Sequence, residues 1–100
     1  MLHTVNKSPF EKNSLETCLR LANDKSSIIL IEDGVYGALK NTSIEATIID
    51  AQKNYKIYVL GPDLKARGLD KNSLITNIEI VDYNKFVKLA VENDKIQNWL

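Results

Sequence analysis

Four consecutive apolar residues, Ile28-Ile29-Leu30-Ile31, constrain this chain more than any other feature. The run is long enough for a strand and too short for an ordinary helix. A strand that is apolar at every position has both faces covered, which is the habit of parallel sheets in α/β domains. Glu32-Asp33-Gly34 stops the run, with Asp33 placed to accept backbone N–H groups at a helix start and Gly34 to ease the turn. Val35, Ala38 and Leu39 follow at i, i+3 and i+4, the spacing of one helix face. The stretch predicts a buried strand, an acidic turn and a helix. Ligands and partners of open parallel sheets gather at the carboxyl ends of the strands, so the Glu32-Asp33-Gly34 turn is expected on the working edge.

The rest of the chain alternates in the same way. Leu2 to Val5 predicts a first strand, and the loop after it carries Pro9, which suits neither ladder nor helix interior. Leu15, Cys18, Leu19 and Ala22 form an apolar stripe that predicts a helix over 11–23. Ile44 to Ala51 admits a further helical piece, although Thr47-Ile48-Ile49 is β-branched and suits extended chain as well. Tyr55 to Leu60 predicts a third strand with Ile57, Val59 and Leu60 inward. Pro62 is well placed near the start of a short helix over 64–67, which Gly68 closes. Ile78 to Val81 predicts a fourth strand. Asp82 then caps a helix reaching Glu92, with Phe86, Leu89, Ala90 and Tyr83 on its apolar face. The tail 96–100 carries the sole tryptophan, Trp99, and is expected to fray unless it docks. This order implies an α/β fold: a small, open, mostly parallel sheet of about four strands, flanked by helices and joined by right-handed crossovers. One hundred residues are expected to form a single domain.

Composition narrows the function. Thirteen Lys plus Arg balance thirteen Asp plus Glu. That argues against an autonomous nucleic-acid binder, which needs a basic surplus to displace counterions. No apolar run approaches a membrane span, and the first ten residues lack the apolar core of a secretory signal, so a cytosolic location is expected. A lone cysteine cannot form an internal disulfide, and one Cys with one His does not make a zinc site. The glycine-rich phosphate loops and the G-x-S-x-G elbow are missing, so no nucleotide cofactor or hydrolase chemistry is implied.

The candidate residues are few. Cys18 is the only sulfur nucleophile, but it sits past the first helical turn on the apolar stripe, where a thiol packs as a small hydrophobe. His3 has a reference pKa near neutrality, yet its place in a presumed central strand favours a structural or interface role. Glu32 and Asp33 read better as a helix cap and a surface contact than as an acid–base pair. Lys65 and Arg67 read as a solvated basic face before they read as a phosphate or RNA contact. Phe10, Tyr83, Trp99 and Leu100 are candidate interface anchors, with completion of the domain's own core as the equal alternative for Trp99.

Five segments in order carry a family likeness: Met1-Leu2-His3-Thr4, Lys7-Ser8-Pro9-Phe10, Leu30-Ile31-Glu32-Asp33-Gly34-Val35, 63–69 (DLKARGL) and 81–89 (VDYNKFVKL). The chain resembles the TusB/DsrH family of DsrE/DsrF/DsrH-like sulfur-relay proteins. The resemblance implies flavodoxin-type layering and a cytoplasmic heterohexamer, a dimer of trimers with TusC-like and TusD-like siblings. It implies exchange of persulfide sulfur with upstream and downstream relay proteins, and a tRNA met only indirectly. In one branch the sulfur becomes the 2-thio group of wobble uridine; in the other, that of DsrEFH, it enters sulfur oxidation. The TusD/DsrE sibling carries its active cysteine near the end of its third strand, where this chain has Ile57-Tyr58-Val59-Leu60-Gly61 and no thiol. The resemblance thus implies a structural subunit with no catalytic residue of its own, for which His3, Phe10, Glu32, Asp33, Tyr83 and Trp99 are the interface candidates. The alternative is a DsrH-type subunit in which Cys18 is a secondary persulfide carrier. A third reading is a stand-alone domain that binds a small anion at its strand ends.

Overall fold

The computed structural model describes residues 1–100. Its elements run β1 (Leu2–Val5), α1 (Ser14–Leu21), β2 (Ser27–Leu30), a 3₁₀ helix (Glu32–Ala38), α2 (Glu45–Ala51), β3 (Lys56–Leu60) and α3 (Gly61–Ala66). A short 3₁₀ turn (Lys71–Ser73), β4 (Glu79–Val81), α4 (Tyr83–Glu92) and β5 (Ile96–Trp99) complete the chain. The five strands form one sheet in the order β4-β3-β2-β1-β5, and every pairing is parallel. The apolar run therefore lies at the centre of the sheet, which is why it needs no polar face.

Alternation along the strands divides the apolar side chains between two layers. Val5, Ile28, Leu30, Ile57 and Val59 face a larger core closed by Leu15 and Cys18 of α1, Ile48 and Ala51 of α2, and Leu64 of α3. Leu2, Ile29, Tyr58, Leu60 and Val81 face the opposite side, where Leu89, Phe86 and Ala90 of α4 cover them. Leu60 thus points away from Ile57 and Val59, because neighbours in a strand take opposite faces. The β-branched stretch at 47–49 is helical, since Ile48 at this spacing drops into the larger core.

Three expectations are corrected. First, the sheet has five strands. The tail docks as β5 against β1, with Leu2 opposite Ile96 and Val5 opposite Trp99. The reason is topological: α4 crosses the sheet from its β4 edge and delivers the chain to the free edge of β1. Second, the helix after β2 is 3₁₀. Its glycines bring it against the end of β1 and against α1. A Cβ on Gly34 would lie 2.1 Å from the Val5 carbonyl oxygen, and one on Gly37 would lie 2.7 Å from Leu15 Cδ2. Third, Asp33 is not its cap; the N-cap is Ile31 and no side chain caps it.

Side chains close other ends. Tyr55 directs its hydroxyl at the carbonyls of Leu19 and Ala22, 3.1 and 2.9 Å away, where α1 stops. Asp82 caps α4 as expected, its Oδ1 accepting from the Lys85 N–H at 2.8 Å. Asp82→Ala should cost about 1 kcal/mol, read as a lowered urea midpoint with an unchanged slope, because α4 loses one satisfied donor.

Candidate functional site

Because the strands are parallel, their carboxyl ends form one rim. Glu32, just past β2, is a non-glycine residue in the left-handed region, with φ of 49°. Its N–H donates to Asp63 Oδ2 at 2.6 Å, a contact from the start of α3. On its other side, Asn6 Nδ2, just past β1, donates to Glu32 Oε2 at 3.5 Å. Left-handed backbone at such a residue persists only when its surroundings hold it, and here β1 and α3 do so from either side.

Asp33 turns the other way. Its Oδ1 accepts from Arg67 Nε at 3.0 Å and lies 3.0 Å from Nη2, while Nη1 of the same guanidinium donates to the Asp63 carbonyl at 3.1 Å. Arg67 is therefore not part of a free basic face. It ties the 3₁₀ helix to α3, whereas Lys65 is exposed. Beside this tie, Ser8, Phe10, Glu11, Asp33 and Tyr36 line an open cleft. Its lining carries the carboxylates of Glu11 and Asp33, the second already paired with Arg67, and offers no unpaired cation to a small anion.

The sequence candidates separate into three places. Phe10, half exposed, joins Glu32 and Asp33 on the rim. Tyr83 lies beyond β4 and points outward from α4 instead of into its buried face, with 57% of its surface exposed. Val87 and Val91 follow it at i+4 and i+8, both exposed, and form an apolar stripe beside Lys85 and Lys88. The inward face is the one the sequence spacing names, Phe86, Leu89 and Ala90, with Tyr83 alone falling outside it.

His3 and Trp99 lie together at the β1–β5 edge, His3 buried and Trp99 half-buried. Trp99 packs against the larger core, and its Nε1 donates to His3 Nδ1 at 3.0 Å. His3 is buried. Burial, reinforced by the N-terminal ammonium, holds its pKa below the ordinary value of 6.5. Cys18 is fully buried in the larger core, and burial pushes its thiol up to about 12. A thiol with that pKa carries almost no thiolate at neutral pH, and the thiolate is the nucleophile. No group of three or more His, Cys, Asp or Glu side chains is arranged to hold a metal ion. No helix is long and apolar enough to cross a membrane.

Residues 7–96 match the family model described as "DsrH like protein". The chain belongs to this DsrH-like family. Relatives of the DsrH-like chain include the protein called TusB in Pectobacterium parmentieri, 35% identical over 99 residues, covering 99% of this chain and all of the relative. The protein of the same name in Escherichia coli K12 is 32% identical over the same shares. The DsrH-like fold also superposes on the crystal structure of the E. coli ychN protein, with a TM-score of 0.79, 22% identity and 97% of each chain covered. The Methanobacterium thermoautotrophicum protein MTH1491 follows with a TM-score of 0.75 and 11% identity over 97% of this chain and 96% of that one. At these identities the two structures speak for the fold alone.

Proposed function

We propose that this chain is a non-catalytic subunit of a cytoplasmic sulfurtransferase complex that relays persulfide sulfur toward 2-thiolation of wobble uridine in tRNA. The observation that carries the reading is a DsrH-like chain, with full-length relatives called TusB, whose only thiol is sealed in its core. A sulfur carrier must be attacked and must attack, and both steps need an accessible thiolate. Cys18 offers neither access nor charge. The junction of β3 and α3, where a TusD-like sibling would carry its cysteine, holds Leu60 and Gly61 here. The chain therefore acts as one folded domain that holds TusC-like and TusD-like siblings in a dimer of trimers and meets tRNA only through them.

Two surfaces are proposed for those contacts: the rim bearing Phe10, Glu32 and Asp33, and the outward face of α4 that starts at Tyr83. The test is co-purification of the chain with its siblings and quantitation of 2-thiouridine by mass spectrometry in cells relying on a Cys18→Ala variant. Assembly is expected to persist and thiolation to stay within about twofold of wild type, since no reacting group has been removed. An assembled complex that no longer thiolates would overturn the structural role and favour Cys18 as a persulfide carrier, the role it has in the sulfur-oxidation alternative.

A further inference from the structure

We propose that His3 and Trp99 form a protonation-sensitive latch that holds the carboxyl-terminal strand β5 on the edge of the sheet. The geometry sets the imidazole's protonation state. Trp99 Nε1 can only donate, so His3 Nδ1, 3.0 Å away, must accept and carry no proton. The ring proton therefore sits on Nε2, which is buried and has no hydrogen-bond partner within the chain. A second proton would have to go to Nδ1. It would set two N–H donors head to head and place a charge on a residue only 3% exposed.

No side-chain carboxylate is paired with His3 to compensate that charge. The N-terminal ammonium, two residues upstream, repels it. On β2 the residue opposite His3 is Ile28, and on β5 it is Gln97. From α1 the titratable core residue is Cys18, neutral at this pH, while Glu16 and Arg20 are exposed to solvent. Asp94 and Lys95, both exposed, precede β5 with opposite charges that offset each other.

β5 is the element this would release. It pairs with β1 alone. Its other side-chain ties are the Thr4 hydroxyl donating to Asn98 Oδ1 at 2.6 Å and the Ser14 hydroxyl donating to the Leu100 carbonyl at 3.0 Å. The strands at the sheet centre do not depend on it. The sign follows from linkage. Docked His3 titrates below 6.5 and undocked His3 near 6.5, so the undocked strand binds more protons. Docking is at full strength above pH 6.5 and weakens as pH falls below it, with a limit of about tenfold per pH unit for one proton.

The experiment is amide hydrogen exchange on the full chain between pH 7.5 and 5, corrected for intrinsic rates, read beside the emission of its sole tryptophan. β5 amides should lose up to about tenfold protection per pH unit below 6.5 while β2 and β3 amides keep theirs, and Trp99 emission should shift to the red over the same range. His3→Gln keeps an acceptor for the indole without a titrating ring, so its β5 should hold steady with pH. Unchanged β5 protection in wild type down to pH 5 would overturn the latch. So would an equal pH dependence in H3Q, or parallel loss of protection in the central strands. Should H3Q not fold, the ¹⁵N shifts of the His3 ring in wild type decide. An Nε2–H tautomer that titrates in step with the Trp99 indole resonance supports the latch, and an Nδ1–H tautomer overturns it.

Discussion

Gly34→Ala is expected to lower the melting temperature by about 12–24 °C, the equivalent of about 3 kcal/mol in a chain of this size. The added methyl would meet backbone, 2.1 Å from the oxygen and 2.9 Å from the carbon of the Val5 carbonyl. That carbonyl cannot swing aside, since it accepts the Ile31 N–H at 3.0 Å and belongs to β1. Relief requires the whole 3₁₀ helix to withdraw, and with it Val35 and Ala38 from the larger core. Conformational freedom is not the reason for glycine here, because Gly34 has no positive φ. Gly68 is the opposite case, with φ of 70° and open space around it. Thermal unfolding followed by circular dichroism checks the shift. A melting temperature within 3–4 °C of wild type, under about 1 kcal/mol, would show that β1 and the 3₁₀ helix can part cheaply.

Leu30→Ala should cost about 2–5 kcal/mol, read as a fall in the urea midpoint. Leu30 is fully buried on the central strand, and its Cδ1 lies 3.7 Å from where a Gly37 Cβ would stand. The cavity would open between β2 and the 3₁₀ helix, where strands on both sides hold the backbone and limit collapse. Against a total stability of roughly 5–15 kcal/mol for a native protein, the loss is a third or more at the lower end. Leu21→Ala, on the exposed end of α1 at 61% exposure, provides the contrast and should fall within about 0.5 kcal/mol of wild type. Equal effects at the two positions would contradict the layered core described above.

The candidate surfaces were legible to different degrees. Cys18 was readable as core because an apolar stripe at helical spacing names its own inner face. The Asp33–Arg67 tie was not, since 34 residues separate the partners and neither residue carries a local mark of the other. Asp63 was equally hidden: it looks like an ordinary first-turn acid of α3, and its bond to the Glu32 N–H exists only because β2 and β3 are neighbours. Tyr83 reads from the sequence both as part of the inner face of α4 and as an interface anchor, and the helix turns it outward. Phe86, Leu89 and Ala90 suffice to cover the sheet there.

Local chemistry was enough for the α/β class, for the four strands expected at 2–5, 28–31, 55–60 and 78–81, each within one or two residues of its observed bounds, and for the cap at Asp82. Runs of apolar residues and short-range capping act within a few residues and do not wait for distant partners. The fifth strand, the 3₁₀ form of the segment after β2, and the pairing of His3 with Trp99 were settled by the assembled sheet. Ile96-Gln97-Asn98-Trp99 has no alternation strong enough to declare itself a strand. It becomes one because α4 carries it to the open edge of β1, where backbone donors and acceptors from the other end of the chain are waiting to be paired.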